Sequence, residues 1–453
     1  MVKRLPQYRS SGRFFLLLFV MGPVVLVIGM LGSLQNRQGS ILAWEGAPVA
    51  ARTYEAGSRL YLDTGTVKVG LETSWGGAIV EVVWHGMNFV NAYDTGREIQ
   101  VALYDGDAYP RSCGDCMDAM GWDPVEGGDR HKRGSPVLEQ KLGGDFLYTK
   151  TRPLHWHPDN KGGGKDRPVP SDAEIEQWVS AMPGYPSAAK VHYKISYLGK
   201  DQHANHDQEF PAVYVNWDFG KFVHYDGTAP WTNDEVSFFT MPDRPKNSPP
   251  LYTSEHWGAF VNGQGAGLTV FAPDQYPYAS GWNRPPDAAK NSGTHYFLFS
   301  APFSFGPGSA WEGDVYLFAG DYKDARQAIY SLRKSLAPRD NLPPFGVVDE
   351  PKPHSKASGT LEVRGWALDN REVSKVKVYL DDRLVGEATY GTPRPDITHV
   401  FPHAPAGTGF RYLLDTTQYS AGAHFLGVNA EDRAENVAVF RRIPIEIENA
   451  NAK

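Results

Sequence analysis

The chain reads as an all-β protein: a large sandwich domain, then a smaller one, behind a single apolar helix at the N-terminus. Three observations predict this. Apolar runs are short and often alternate with polar residues, as strands with one wet face require. Aromatic residues make up 13 % of the 453 residues, with 47 glycines and 34 prolines to punctuate them, a composition suited to strands and turns rather than to a helical bundle. Third, only the N-terminus holds an apolar run long enough for a membrane helix.

Residues 1–13 carry Lys3, Arg4, Arg9 and Arg13 and no acid. They read as a cytoplasmic tail. Phe14 to Leu34 follows with no charge, sufficient for a helix to cross a hydrocarbon core of about 30 Å. The upstream positives should stay inside, sending the bulk of the chain to the periplasm or the exterior. A cleaved signal peptide is the competing reading. No small-x-small site lies close behind the apolar run, which favours an uncleaved anchor. The net charge is −7 despite that basic tail, so nucleic acid is not expected as a partner.

Residues 35–57 read as a linker and 58–337 as the large domain. In it, Val67, Val69 and Leu71 alternate with Lys68, Gly70 and Glu72, Gly76-Gly77 turns the chain, and Ala78 to Trp84 returns. Further strands are expected at 190–197, 212–217, 259–261, 267–271, 296–300 and 313–318. A helix capped by Asp324 follows, with Ala328, Ile329, Leu332 and Leu336 on one face and Pro338 as its stop. Residues 338–345 are a proline-rich hinge. From 346 to 448, short strands at sandwich spacing form a separate unit, with Asp381-Asp382 at a hairpin turn.

The densest chemistry lies between Asn88 and Asp129. Asp94, Arg97, Glu98, Gln100, Asp123, Glu126 and Asp129 are interleaved there with Tyr93, Tyr104 and Trp122. Flat ring faces suit the C–H face of a pyranose, while charged forks hold hydroxyls and carboxylates. Asp94 and Arg97 flank Gly96, as either a self-bracing turn or an arginine that also reaches a sugar acid. Farther on, Glu209 precedes a strand, Tyr225 and Trp231 lie in one polar loop, and Glu255 and Trp257 share a strand face. Asp94, Arg97, Glu209, Tyr225 and Glu255 are the catalytic candidates. Tyr93, Gln100, Trp122, Trp231 and Trp257 are the binding candidates. A Tyr or His base with Arg97 would suit β-elimination, and a pair among Asp94, Glu209 and Glu255 would suit hydrolysis.

Both cysteines fall in Cys113-Gly-Asp-Cys116, beside acids that oppose thiolate chemistry, so a stiffened loop is expected before metal or redox work. Asp105-Gly106-Asp107 is a short acidic pair of the kind calcium takes; no other cofactor is indicated. Phosphate-binding glycine loops, His-Glu-x-x-His and Gly-x-Ser-x-Gly do not occur.

Two resemblances follow from quoted motifs. GG-x-IVEV, NFVNAYDTGREIQ, PAVYVNWDF and EHWGAFVNGQGAGLTVFAP resemble the β-supersandwich group of aldose mutarotases and polysaccharide-lyase sandwich domains. The mutarotases' histidine pair and late acid find no counterpart here, so that activity is not carried over. Gly365-Trp366-Ala367, Tyr390-Gly391 and Arg394-Pro395-Asp396 resemble bacterial Ig-like modules, which implies presentation or binding. The expectation is a membrane-anchored, externally facing protein that acts on or binds a polysaccharide, by lyase or hydrolase chemistry if an enzyme. The alternatives are a non-catalytic glycan binder and a surface scaffold or adhesin.

Overall fold

The computed structural model describes residues 50–105, 121–287 and 293–448. The expected helix at Phe14–Leu34, the cysteine pair and Gly106-Asp107 lie outside them. No helix among the described residues is long and apolar enough to cross a membrane.

The large domain stacks two antiparallel sheets. One has twelve strands, nine of them in the order Arg52–Ala56, Arg59–Asp63, Val67–Glu72, Ala78–Trp84, Ile99–Ala102, Glu209–Asn216, Thr294–Phe299, Tyr278–Arg284 and Leu251–Tyr252, with Met87–Asn88, Pro124–Val125 and Leu154–His155 paired off this path. The other has nine strands, with Ala310–Asp321, Ala188–Tyr197 and Ala173–Ala181 near its middle. Alternate residues of both sheets, such as Val213, Phe297, Val191 and Val315, meet in one core. Pairing begins at Arg52, inside the stretch read as a linker, because Gly57 takes a φ of 65° and lets Arg52–Ala56 fold back on Arg59–Asp63. Strands Ala173–Ala181, Phe146–Thr151 and Tyr278–Arg284 went unforeseen.

The helix Tyr322–Leu332 lies on the outer face of the nine-stranded sheet, where Ala325, Ile329 and Leu332 cover Val223, Trp257 and Phe318. Its cap is Asp321, whose carboxylate accepts from Lys323 N; the expected cap, Asp324, sits in the first turn. The cap moves upstream because the strand Ala310–Asp321 runs straight into the helix.

The C-terminal sandwich pairs a four-stranded sheet with a six-stranded one around Val363, Val376, Phe410 and Val428. Asp381 and Asp382 both take positive φ at the hairpin Leu380–Arg383. The proline-rich connection is docked. Leu342 is buried, Trp366 and Leu368 join the core cluster of the large domain, and the Tyr276 hydroxyl donates to the Pro343 carbonyl at 2.9 Å.

Candidate glycan cleft

Side chains alternate across a strand, so the residues between those of the core point to the other face of the twelve-stranded sheet. On neighbouring strands, Tyr214 opposes Tyr296, and Tyr296 opposes Trp282. With Ala212 and Leu298 they form a small apolar floor of their own. The Tyr214 and Tyr296 rings lie 4.7 Å apart, and those of Trp282 and Tyr296 4.8 Å. A cleft of about 380 Å³ opens over this floor.

Its charged groups come from the rims. Asp94, Arg97 and Gln100 arrive with the turn before and the strand Ile99–Ala102, Glu209 begins the strand Glu209–Asn216, and His206 and Asp207 stand just ahead of it. Arg244 and Arg284 also line it, with their guanidinium carbons 4.5 and 5.9 Å from the Trp282 ring centroid. Neither arginine pairs with a carboxylate among the described residues. Burial, then the charges of Arg97 and Arg244, lower the pKa of Arg284. Asp94 opposes that shift, so the cleft sets three arginines among the acids Asp94, Asp207 and Glu209.

The acids are held in place. Arg97 Nε lies 3.8 Å from Asp94 Oδ2, too long for a fork, and Gly96 N donates to Asp94 Oδ1 at 3.2 Å. A side chain at Gly96 would strike the Trp156 ring. The Tyr296 hydroxyl donates to Glu209 Oε1 at 2.8 Å. Burial, reinforced by Glu209, raises the Tyr214 and Tyr296 phenols well above their ordinary values, which suits them to donate hydrogen bonds rather than to take protons. Gln100 Oε1 accepts from Gly127 N at 2.7 Å.

Of the residues singled out in the sequence, Asp94, Arg97, Gln100, Tyr104 and Glu209 line this cleft. Tyr93 stands beside it, its ring centroid 4.9 Å from Arg97 Cζ and 4.5 Å from Lys132 Nζ. Trp122 lines a different hollow; it stacks on His203 at 4.4 Å and donates to Asp172 at 2.6 Å. Tyr225, Trp231, Glu255 and Trp257 gather instead under the helix on the far sheet. There Glu255 receives Arg326 Nε and Nη2 at 2.8 and 2.9 Å, Tyr330 Oη at 2.5 Å, Trp257 Nε1 at 2.7 Å and Trp231 N at 2.8 Å. All four are packed as structure and are not brought to the cleft. His206 and Asp207, from the histidine–carboxylate stretch His203–Glu209 that the sequence offers for acid–base or metal work, line it too, whereas Trp156, Tyr214, Arg244, Trp282, Arg284 and Tyr296 line it without having been proposed as site residues.

The acids of the Gly121–Asp129 loop act as braces. Asp123 is buried, which opposes its charge, but hydrogen bonds from His155 and His157 and the nearby Lys161 hold its pKa at about 2. Asp129 binds Arg133. Glu126 is buried without a cation, and burial pushes its carboxyl up to about 8. Among the described residues, the one set of acids close enough to share a cation is Asp340, Asp369 and Asp432. It lies outside the cleft lining, and Asp369 and Asp432 already accept from Arg371 N, Glu372 N and Asn436 N.

A family model described as a bacterial Ig domain matches residues 344–428. Solved polysaccharide-lyase and aldose-epimerase structures align with the chain at low scores. A polysaccharide lyase aligns at 12 % identity and TM-score 0.33, over 88 % of this chain and 48 % of its own. A heparan sulfate lyase from Pedobacter heparinus aligns at 9 % and 0.32, over 71 % of this chain and 40 % of its own. A Klebsiella pneumoniae protein assigned as an aldose 1-epimerase aligns at 12 % and 0.36, over 64 % and 88 %. This chain therefore spans about half the length of the first of these. At such scores the likeness carries nothing about chemistry. No curated protein matches the chain in sequence.

Proposed function

We propose that this protein binds an acidic polysaccharide in the cleft on the twelve-stranded sheet. One observation carries the proposal: Arg97, Arg244 and Arg284 line the same cleft as the ring of Trp282. A pyranose ring laid on the Tyr214–Tyr296–Trp282 floor would present its acid group to the guanidinium cluster. Asp94 and Glu209 would accept from its hydroxyls. The basic tail and the uncharged run Phe14–Leu34 support a membrane-anchored protein with this cleft outside the cell. Affinity electrophoresis through gels containing acidic or neutral polysaccharides tests the proposal. Retardation by at least one acidic polymer and not by its neutral analogues is expected; migration unchanged in every gel would refute it.

A second reading, cleavage by β-elimination, is favoured by His206 in the same cleft as the arginines. Histidine could take the C5 proton next to the sugar carboxylate while the arginines stabilise the enolate; the C4–O glycosidic bond then breaks to form the C4–C5 double bond, and the departing oxygen takes a proton from the histidine or from water. An unsaturated, ultraviolet-absorbing product would establish it.

A further inference from the structure

A second hollow adjoins the cleft. A cavity of about 300 Å³ lies where the two sandwiches meet, and His206, Asp207 and Ser280 line both it and the cleft. Its far wall belongs to the C-terminal module: Phe345, Val347, Trp366 and Phe401. The Trp366 and Phe401 rings stand 5.8 Å apart and Phe345 packs edge-on to both. Tyr278 of the cleft-bearing sheet packs on Phe401 at 5.3 Å and donates its hydroxyl to the Pro402 carbonyl at 2.9 Å. The wall is therefore anchored to the sheet that carries the cleft.

We infer that the module supplies a subsite for the same glycan chain, holding the sugar next to the one whose acid group is read by the arginines. The inference rests on the glycan reading of the cleft. Three features select this occupant. The cavity adjoins the cleft, with His206, Asp207 and Ser280 lining both. Its lining is aromatic and aliphatic, with Asn205, Asp207 and Ser300 as polar groups at hand, the mixture a sugar's C–H faces and hydroxyls require. Among the described residues no lysine or arginine lines it, so an uncharged sugar, or the uncharged face of one, fits there better than a second acid group. Cleft and cavity are each near the lower end of ordinary ligand sites, about 300–1,000 Å³; together they accommodate an oligomer.

Val347 is half exposed, on the strand Phe345–Glu350, and can be changed without opening the core. The test is titration of the full chain with a size ladder of fragments from an acidic polysaccharide that retards the wild type. Wild-type affinity should rise with length once fragments outgrow the cleft. Val347→Trp, filling the cavity mouth, should weaken long fragments about tenfold, or about 1.4 kcal/mol, and leave the shortest binder unchanged. Should that variant fail to fold, Phe401→Leu stays apolar with a modest loss of volume, removes the ring face and should flatten the same rise. Equal affinity of wild type and folded variant for long fragments would overturn the subsite while leaving the cleft reading intact. Wild type that binds no fragment of any length would overturn the cleft reading itself, and the subsite with it.

Discussion

Tyr296 donates its hydroxyl to Glu209 Oε1 at 2.8 Å, joining the aromatic floor of the cleft to an acid on its rim. The bond sets the direction of the carboxylate. Tyr296→Phe removes a donor to a charged group in a site that water can reach. A loss of about 1 kcal/mol in stability is expected, with a larger proportional loss of glycan affinity. Thermal melts beside binding titrations check this; unchanged affinity would show that Glu209 does not meet the ligand.

The buried acid Glu126 predicts an unusual pH dependence. Its folded value, about 8, lies above that of an unfolded glutamate, about 4.3. Between those values the folded protein holds a proton that the unfolded chain has released. Stability should fall as the pH rises through this window and level off above it, with a slope of at most about 1.4 kcal/mol per pH unit from this group. Glu126→Gln keeps an acceptor for Val101 N, now at 2.8 Å, and removes the titration. The variant should match the wild type near pH 4 and be the more stable at pH 8, as seen by chemical denaturation across that range. A constant difference between the two would contradict the assignment.

Glu255 makes the opposite case to Glu209. Its carboxylate is buried and ringed by Arg326, Tyr330, Trp257 and Trp231 N. Glu255→Ala leaves the Arg326 charge without its partner, at a cost of about 3–5 kcal/mol. The melting temperature should drop sharply, and protein that remains folded should bind glycans as the wild type does. Lost binding in a stable variant would return Glu255 to the site.

The N-terminus bears on where the cleft operates. With four positives before the uncharged run, protease added to intact cells should digest the bulk of the chain. Full protection, or a soluble form beginning near Ala50, would contradict an anchored, external protein.

Half of the cleft could be read in the sequence because Asp94, Arg97 and Gln100 are neighbours in the chain and Glu209 opens an obvious strand. The other half is a product of pairing. Tyr214, Trp282 and Tyr296 come from three separate stretches that become adjacent only through strand register, and no local pattern encodes that. A signal did exist: Tyr214 and Tyr296 occupy the polar-side positions of strands that were otherwise foreseen. The strand Tyr278–Arg284 was hidden by glycine, asparagine and following prolines, and with it went Trp282 and Arg284. Tyr225, Trp231, Glu255 and Trp257 carry the same residue types as the cleft. They fell on the other sheet, where the helix Tyr322–Leu332 turned them into core. Composition signals chemistry, but topology decides which copy of it faces solvent.

The central claim is that the arginine cluster reads an acid group, and Arg284 tests it most directly. Arg284 makes no ion pair among the described residues and sits beside the like charges of Arg97 and Arg244, so Arg284→Ala should leave the melting temperature unchanged or slightly higher. The measurement is calorimetric titration of wild type and Arg284→Ala with an acidic polysaccharide and with its carboxyl-reduced form. The account predicts that the wild type prefers the acidic polymer and that the variant loses about 1.5–3 kcal/mol of that preference, as for a hydrogen bond to a charged group. Equal affinity of both proteins for the acidic polymer, or a wild type that prefers the reduced form, would contradict it.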